Sequence, residues 1–201
     1  MRPQIFVIHG GDAFDTYEEY LANLRAKTTT LERLSARGWK LSLRDRLADI
    51  ADVYTPEMPN KQNAKYAEWK IWFGKIVPLM NDGVVLVGHS LGGIFLAKYL
   101  SEEILPTKIR ATLLVAPPFN TATNHPLADF NLGEELHKLQ DRGGEIVFYH
   151  SRDDQVVPYS NLEDYRRALP LARYVSFENR GHFNQESFLE IEEDLRKLLT
   201  F

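Results

Sequence analysis

The stretch Val84-Val85-Leu86-Val87-Gly88-His89-Ser90-Leu91-Gly92-Gly93 decides how this chain reads. An apolar, β-branched run enters a G-x-S-x-G segment, and Leu91, Ile94 and Phe95 then recur at helical spacing with Lys98 turned outward. A strand that reverses within about four residues and continues as a helix lifts one side chain clear of the sheet. Gly88 and Gly92 remove the Cβ atoms that would collide in that reversal, so Ser90 is expected on a strained bend with its hydroxyl exposed. The amides that follow begin a helix and point toward any oxyanion formed nearby. Taken alone, such a serine is as well read as a glycine-flanked helix N-cap. The strand before it and the helix after it favour a nucleophile.

Bulk properties narrow the setting. A chain of 201 residues fits one domain, long enough to bury roughly 70% of its unfolded surface. It is 44% hydrophobic and 26% charged, with mean hydropathy −0.33. No apolar run approaches the ~20 residues of a membrane span, and a net charge of −4 argues against a nucleic-acid surface. Zero cysteines exclude disulfides, thiolate metal sites and cysteine nucleophiles, so a serine must carry covalent chemistry of this type. His125, His137 and His150 show no H-x-H or H-E-x-x-H spacing, and no metal site is expected. His9-Gly10-Gly11 lacks both the G-x-G-x-x-G pattern and a Walker lysine, which disfavours nucleotide binding. The apolar run at 5–8 is too short for a signal-peptide core, so a cytoplasmic location is expected.

Working outward from the elbow, strands are expected at 5–8, 51–55, 84–87, 111–116, 145–149 and 173–177. Helices are expected between them. Asp15-Thr16-Tyr17-Glu18 resembles a capping box that opens a helix running to about Ala36, with the threonines at 28–30 weakening its middle. Tyr66, Trp69, Trp72, Phe73, Ile76 and Val77 mark a second helix, read as a core-facing aromatic stripe. Further helices follow near 132–140, 159–169 and 188–199. Such alternation predicts an α/β fold: one domain over 1–201 with a mostly parallel six-stranded sheet and helices on both faces. Only residues 117–144 separate the fourth strand from the fifth, so a large lid is not expected.

Ligands of such sheets sit outside the carboxyl ends of the strands. There the sequence places His9-Gly10-Gly11, Ser90, Asp154 and His182. A serine needs an imidazole to take its proton and a carboxylate to hold that imidazole in the right tautomer. His182 follows the last strand in Arg180-Gly181-His182-Phe183, and Asp154 follows the preceding strand in Ser151-Arg152-Asp153-Asp154. Spacing alone leaves Asp153 open as the orienting carboxylate. The chain order Ser90, Asp154, His182 is that of α/β-hydrolases.

Three segments, Gly88-His89-Ser90-Leu91-Gly92, Ser151-Arg152-Asp153-Asp154 running to Pro158, and Gly181-His182-Phe183 running to Phe188, make the chain similar to the small retinoblastoma-binding-protein-9-like serine hydrolases. The resemblance spans essentially the whole chain. It implies Ser90 as nucleophile, His182 as base and Asp154 as orienter. The first loop departs from that group and looks like the broader His-Gly oxyanion loop of esterases. The backbone amide of Leu91 is the expected first oxyanion donor, with Gly11 as its partner and Asp12 as the alternative. His9 is expected to shape that loop and His89 to hydrogen-bond away from the substrate.

The expected activity is cleavage of a small soluble ester, thioester or amide through an acyl-enzyme, with no cofactor. The pocket is expected to be shallow or open, bordered by residues 56–59 and 117–124. Peptidase and acyltransferase chemistry use the same triad. The family name also suggests a competing role, a protein-interaction module on a hydrolase fold, and a protein partner is left open.

Overall fold

Successive residues of a strand project to opposite sides of a sheet, so Ile5 and Val7 face one way while Phe6 and Ile8 face the other. In the computed structural model, which describes residues 1–35, 38–120 and 126–200, this alternation sorts the interior into two cores. The strands are β1 (Gln4–Ile8), β2 (Asp52–Tyr54), β3 (Val84–His89), β4 (Ile109–Val115), β5 (Glu145–Ser151) and β6 (Arg173–Phe177). They form one parallel sheet in the order β2-β1-β3-β4-β5-β6. Every residue of β3 is buried. A central parallel strand is covered on both faces, which is why it reads as a continuous apolar run and not as an alternating one.

On one face α4 (Tyr66–Ile76), α5 (Leu91–Glu102), α6 (Leu139–Arg142) and α7 (Ser160–Ala168) supply Trp69, Phe73, Phe95, Leu139, Leu162 and Tyr165. These meet Phe6, Leu86, Leu114 and Phe148 of the sheet. On the other face α3 (Trp39–Arg46) and α8 (Leu189–Leu199) set Trp39, Leu43, Ile191 and Leu195 against Ile5, Val85, Val87, Leu113 and Val147. From β1 the chain moves to one edge to form β2, then crosses back to the other side of β1 to form β3. The crevice between the carboxyl ends of β1 and β3 is therefore the topological switch point, where open α/β sheets bind ligands.

All six expected strands are present, with ends shifted by one or two residues for most of them. The helices differ more. The expected first helix is divided into α1 (Tyr17–Ala26) and α2 (Leu31–Ser35), because the chain leaves helical geometry at Lys27 and passes through the threonine run. Ala36, its expected end, lies outside the described residues. Its capping box is one residue further on: Thr16 Oγ1 accepts the Glu19 N–H at 3.2 Å, and the Glu19 carboxylate accepts the Thr16 N–H at 3.1 Å. Helix α3 has no counterpart in the sequence reading. The expected helix at 132–140 is a 3-10 turn, Glu134–Lys138, followed by the single turn of α6. Leu136 and Leu139, three residues apart, both reach the core there, the spacing a 3-10 turn eclipses. Trp69 and Phe73 are fully buried, but Trp72 is 43% exposed and stands outside the stripe.

Between β4 and β5 the described residues contain that turn, a second one at Ala128–Phe130, and α6. Phe130 is fully buried with its ring edge-on to Trp69 and Tyr66, which fixes this connection to the core.

Candidate active site

Ser90 occupies the corner between β3 and α5 with φ 54° and ψ −121°, a left-handed backbone on a residue with a Cβ. Such a conformation costs on the order of 1–3 kcal/mol and persists only where its surroundings over-determine it. The surroundings here are backbone. A Cβ on Gly88 would lie 2.5 Å from the Gly92 carbonyl oxygen, and a Cβ on Gly92 would lie 2.4 Å from that of Ile8. The Ser90 N–H donates to the Val115 carbonyl at 2.8 Å, tying the corner to the neighbouring strand. Its own carbonyl accepts from Gly93 and Ile94, which starts α5.

The His9-Gly10-Gly11 loop leaves the end of β1 beside this corner, close enough that a Cβ on Gly10 would lie 3.1 Å from that of Ser90. His9 Nε2 accepts the Met58 N–H at 2.8 Å while Nδ1 meets the Gly10 carbonyl at 2.6 Å, so the ring braces the loop from behind. Burial lowers the His9 pKa and keeps the ring neutral for this task. The Asp12 N–H is given to the Lys61 carbonyl at 2.9 Å. Among the described residues the N–H groups of Gly11 and Leu91 meet no acceptor, and both residues line the cavity above Ser90. Of the two residues the sequence left open, Gly11 and not Asp12 keeps a free donor.

Asp154 and His182 come from the loops after β5 and β6. His182 Nδ1 lies 2.8 Å from Asp154 Oδ2, and the other carboxylate oxygen accepts the N–H groups of Val156 and Val157 at 2.8 and 2.9 Å. The buried carboxylate thus has both oxygens engaged, and the imidazole that donates to it through Nδ1 keeps Nε2 as the acceptor. Asp153 does something else. It accepts from Ser151 Oγ at 2.5 Å and from the Gly181 N–H at 2.8 Å, fixing the residue before His182. Those two donors hold its pKa below the ordinary carboxylate value.

The back of the His182 loop is held by α3. Trp39 Nε1–H donates to the Phe183 carbonyl at 2.9 Å, the Trp39 N–H to Gln185 at 3.0 Å, and Ser42 Oγ to Glu186 at 3.0 Å. His89, next to Ser90, hydrogen-bonds nearby as the sequence suggested, but it lines the cavity and is not turned away from it. Its Nε2 is 2.9 Å from the His182 carbonyl, and its Nδ1 is 3.1 Å from Lys40 Nζ. Burial, with Lys40 and His182 beside it, pushes its pKa well down, so the ring is neutral: Nε2–H donates and Nδ1 accepts from the lysine.

Ser90, Leu91, Gly11 and His182 share one cavity of about 420 Å³, walled further by Lys40, Lys61, Pro118, Pro126, Leu127, Val156 and Val157. The expected border at 56–59 does not line it; that loop instead supports His9 through Met58. Pro118 is the member of the 117–124 segment found in the wall, and 121–124 lie outside the described residues. The sequence reading missed Lys40, which no motif marks, and gave no role to His150. That histidine is fully buried, 3.8 Å from Asp154 Oδ2, with Nε2 bound to the Val157 carbonyl. Among the described residues no group of three or more His, Asp or Glu could hold a metal ion, and no helix is long and apolar enough to cross a membrane.

A parallel sheet wound in this order, with a serine turn at the end of β3, is the α/β-hydrolase fold. The solved structure of the ydeN gene product from B. subtilis superposes with a TM-score of 0.79, covering 99% of this chain and 100% of that one at 22% identity. A family model described as Serine hydrolase matches residues 31–200, and the chain belongs to that family. In sequence it is 25% identical to YdeN of Bacillus subtilis (strain 168) over 189 residues, covering 92% of this chain and 88% of the relative. It is also 22% identical to Serine hydrolase RBBP9 of Rattus norvegicus over 172 residues, covering 83% and 89% of the two chains.

Proposed function

We propose that the chain hydrolyses small acyl compounds, esters, thioesters or amides, through an acyl-enzyme on Ser90 with His182 and Asp154 as base and orienter. The observation that carries this reading is the 2.8 Å contact of His182 Nδ1 with a buried, doubly engaged Asp154, in a cavity that also holds Ser90 on its strained turn. His182 Nε2 takes the Ser90 proton as Oγ attacks the acyl carbon. The tetrahedral oxyanion is met by the N–H groups of Leu91 and Gly11. His182 then returns the proton to the leaving group, and a water deprotonated by the same nitrogen releases the acid. The cavity volume of about 420 Å³ supports a small substrate, near the low end of the range for small-molecule sites.

Intact-protein mass after exposure to a fluorophosphonate tests the reading. One adduct is expected on the wild type and none on Ser90→Ala or His182→Ala. A folded wild type that takes up no adduct overturns it and moves the interaction-module reading ahead.

A further inference from the structure

Among the described residues three charged side chains line the cavity, and two of them are already paired. Asp12 pairs with Lys27, and Lys61, about half exposed, pairs with Glu57 at 3.2 Å. Lys40 differs. Among the described residues no carboxylate lies within ion-pair distance of its Nζ, whose neighbours are the neutral His89 ring at 3.1 Å and the face of Trp39, 5.3 Å from the ring centre. It also stands in the first turn of α3, where the positive end of the helix dipole opposes a cation, and that turn carries no acidic residue. Burial lowers its pKa to about 8, so most of the population is still charged at pH 7. A half-buried ammonium without a counter-ion is costly to keep in a cavity wall. An anionic ligand would remove that cost.

Its place along the wall says which part of a substrate that anion belongs to. The oxyanion must face Leu91 and Gly11, and the leaving atom must face His182, which returns the proton to it. Lys40 reaches the cavity across His89, whose ring centre is 4.9 Å from that of His182. It is thus one ring removed from His182, the group that hands the proton to the leaving atom. One of its three N–H groups is given to His89; two remain for a ligand.

We propose that Lys40 recognises a carboxylate on the leaving-group half of the substrate, so that the preferred substrates are acyl esters or amides of hydroxy or amino acids. This rests on the hydrolase reading above. The acyl C–O or C–N bond is the one broken: water supplies the hydroxyl of the released acid, the hydroxy or amino acid departs with the proton from His182, and its carboxylate is unchanged.

The test compares acetate esters of glycolate, 3-hydroxypropionate and 4-hydroxybutyrate, each against the same ester with the carboxylate replaced by a neutral primary amide. For at least one chain length the wild type is expected to favour the anionic member by about tenfold or more in kcat/KM, the worth of one charge-assisted hydrogen bond. Lys40→Met should bring that ratio to about one and Lys40→Arg should keep most of it. The preference should also fall as pH rises through about 8, where Lys40 loses its proton. Among the described residues the other titratable groups facing the cavity are His9, His89, His182, Lys61 and Asp12, and their effect on the shared chemistry cancels in the ratio. If Lys40 serves only to hold His89, Lys40→Met changes both members of a pair equally, and that result overturns the proposal. So does a wild type that labels with fluorophosphonate yet shows no preference for the anionic ester or cleaves neither. Absence of labelling overturns the hydrolase reading itself, and this inference with it.

Discussion

The two halves of the site are held in place by different physics. The Ser90 corner is fixed by main chain: Gly88, Gly92 and the end of β1 approach so closely that no side chain fits between them, and the serine is held there at φ 54°. The His182 loop is fixed by side chains reaching across the sequence, from Trp39, Ser42, His89, Ser151, Asp153 and Asp154. Close backbone packing yields a position that a five-residue motif can announce. A net of single hydrogen bonds yields a position that no local stretch of sequence announces, and each strand of that net can be removed separately.

The sharpest contrast concerns the two adjacent aspartates. Asp154→Asn is expected to lower kcat by about 10⁴-fold, because an amide at that position favours the wrong imidazole tautomer. Asp153→Asn, whose side-chain oxygen can still accept from Gly181, should stay within about tenfold. Steady-state rates on a neutral ester separate the two, and equal losses would mean that the pair acts as one unit.

On the elbow side, Gly92→Ala drives a Cβ to 2.4 Å from the Ile8 carbonyl oxygen. Overpacking of this kind should cost about 1–3 kcal/mol or more in urea unfolding and abolish fluorophosphonate labelling along with it. Retained labelling would show that the corner yields more easily than its contacts imply. On the base side, Trp39→Phe removes the N–H that serves the Phe183 carbonyl and should cost about 1–3 kcal/mol, with labelling slowed but not lost. If the two substitutions damaged labelling to the same degree, the distinction between a main-chain corner and a side-chain net would fail.

The smallest effect is acid dependence. The folded-state pKa of Asp153 is lowered, so the stability it contributes is present above its unfolded value, about 3.9, and is lost as pH falls through the lower folded value. Melting temperatures of wild type and Asp153→Asn should accordingly converge in part as pH drops from about 6 to about 3. A gap that stays constant across that range would remove the ionised Asp153 from the account of how the loop is held.

The same division explains what could be read from the sequence. The strands were legible because β3, β4 and β5 are covered on both faces and appear as apolar runs bounded by turn residues. The Ser90 turn was legible because its glycines are adjacent to it in sequence. Helix α3 was not, since Trp39 and Leu43 are its only buried residues and one apolar pair at i,i+4 makes no period. Lys40 was hidden with it, as one lysine among many, and what singles it out is that no carboxylate among the described residues lies within ion-pair distance of it in three dimensions. Asp153 and Asp154 could not be separated by spacing; their hydrogen-bond partners separate them at once.

Strand β6 has a neighbour on one side only, and none of its residues is fully buried. It is the last rung of the ladder and the one that delivers His182, the proposed base, while Ser90, the proposed nucleophile, follows the strand most deeply enclosed. Edge elements of this kind are where a folded protein first opens under native conditions. Transient fraying of β6 would withdraw His182 and leave the elbow intact, so catalytic competence becomes a property of the weakest cooperative unit and not of the global fold. Hydrogen exchange at Val175 and Phe177 would then report the lifetime of the working enzyme more faithfully than its melting temperature does.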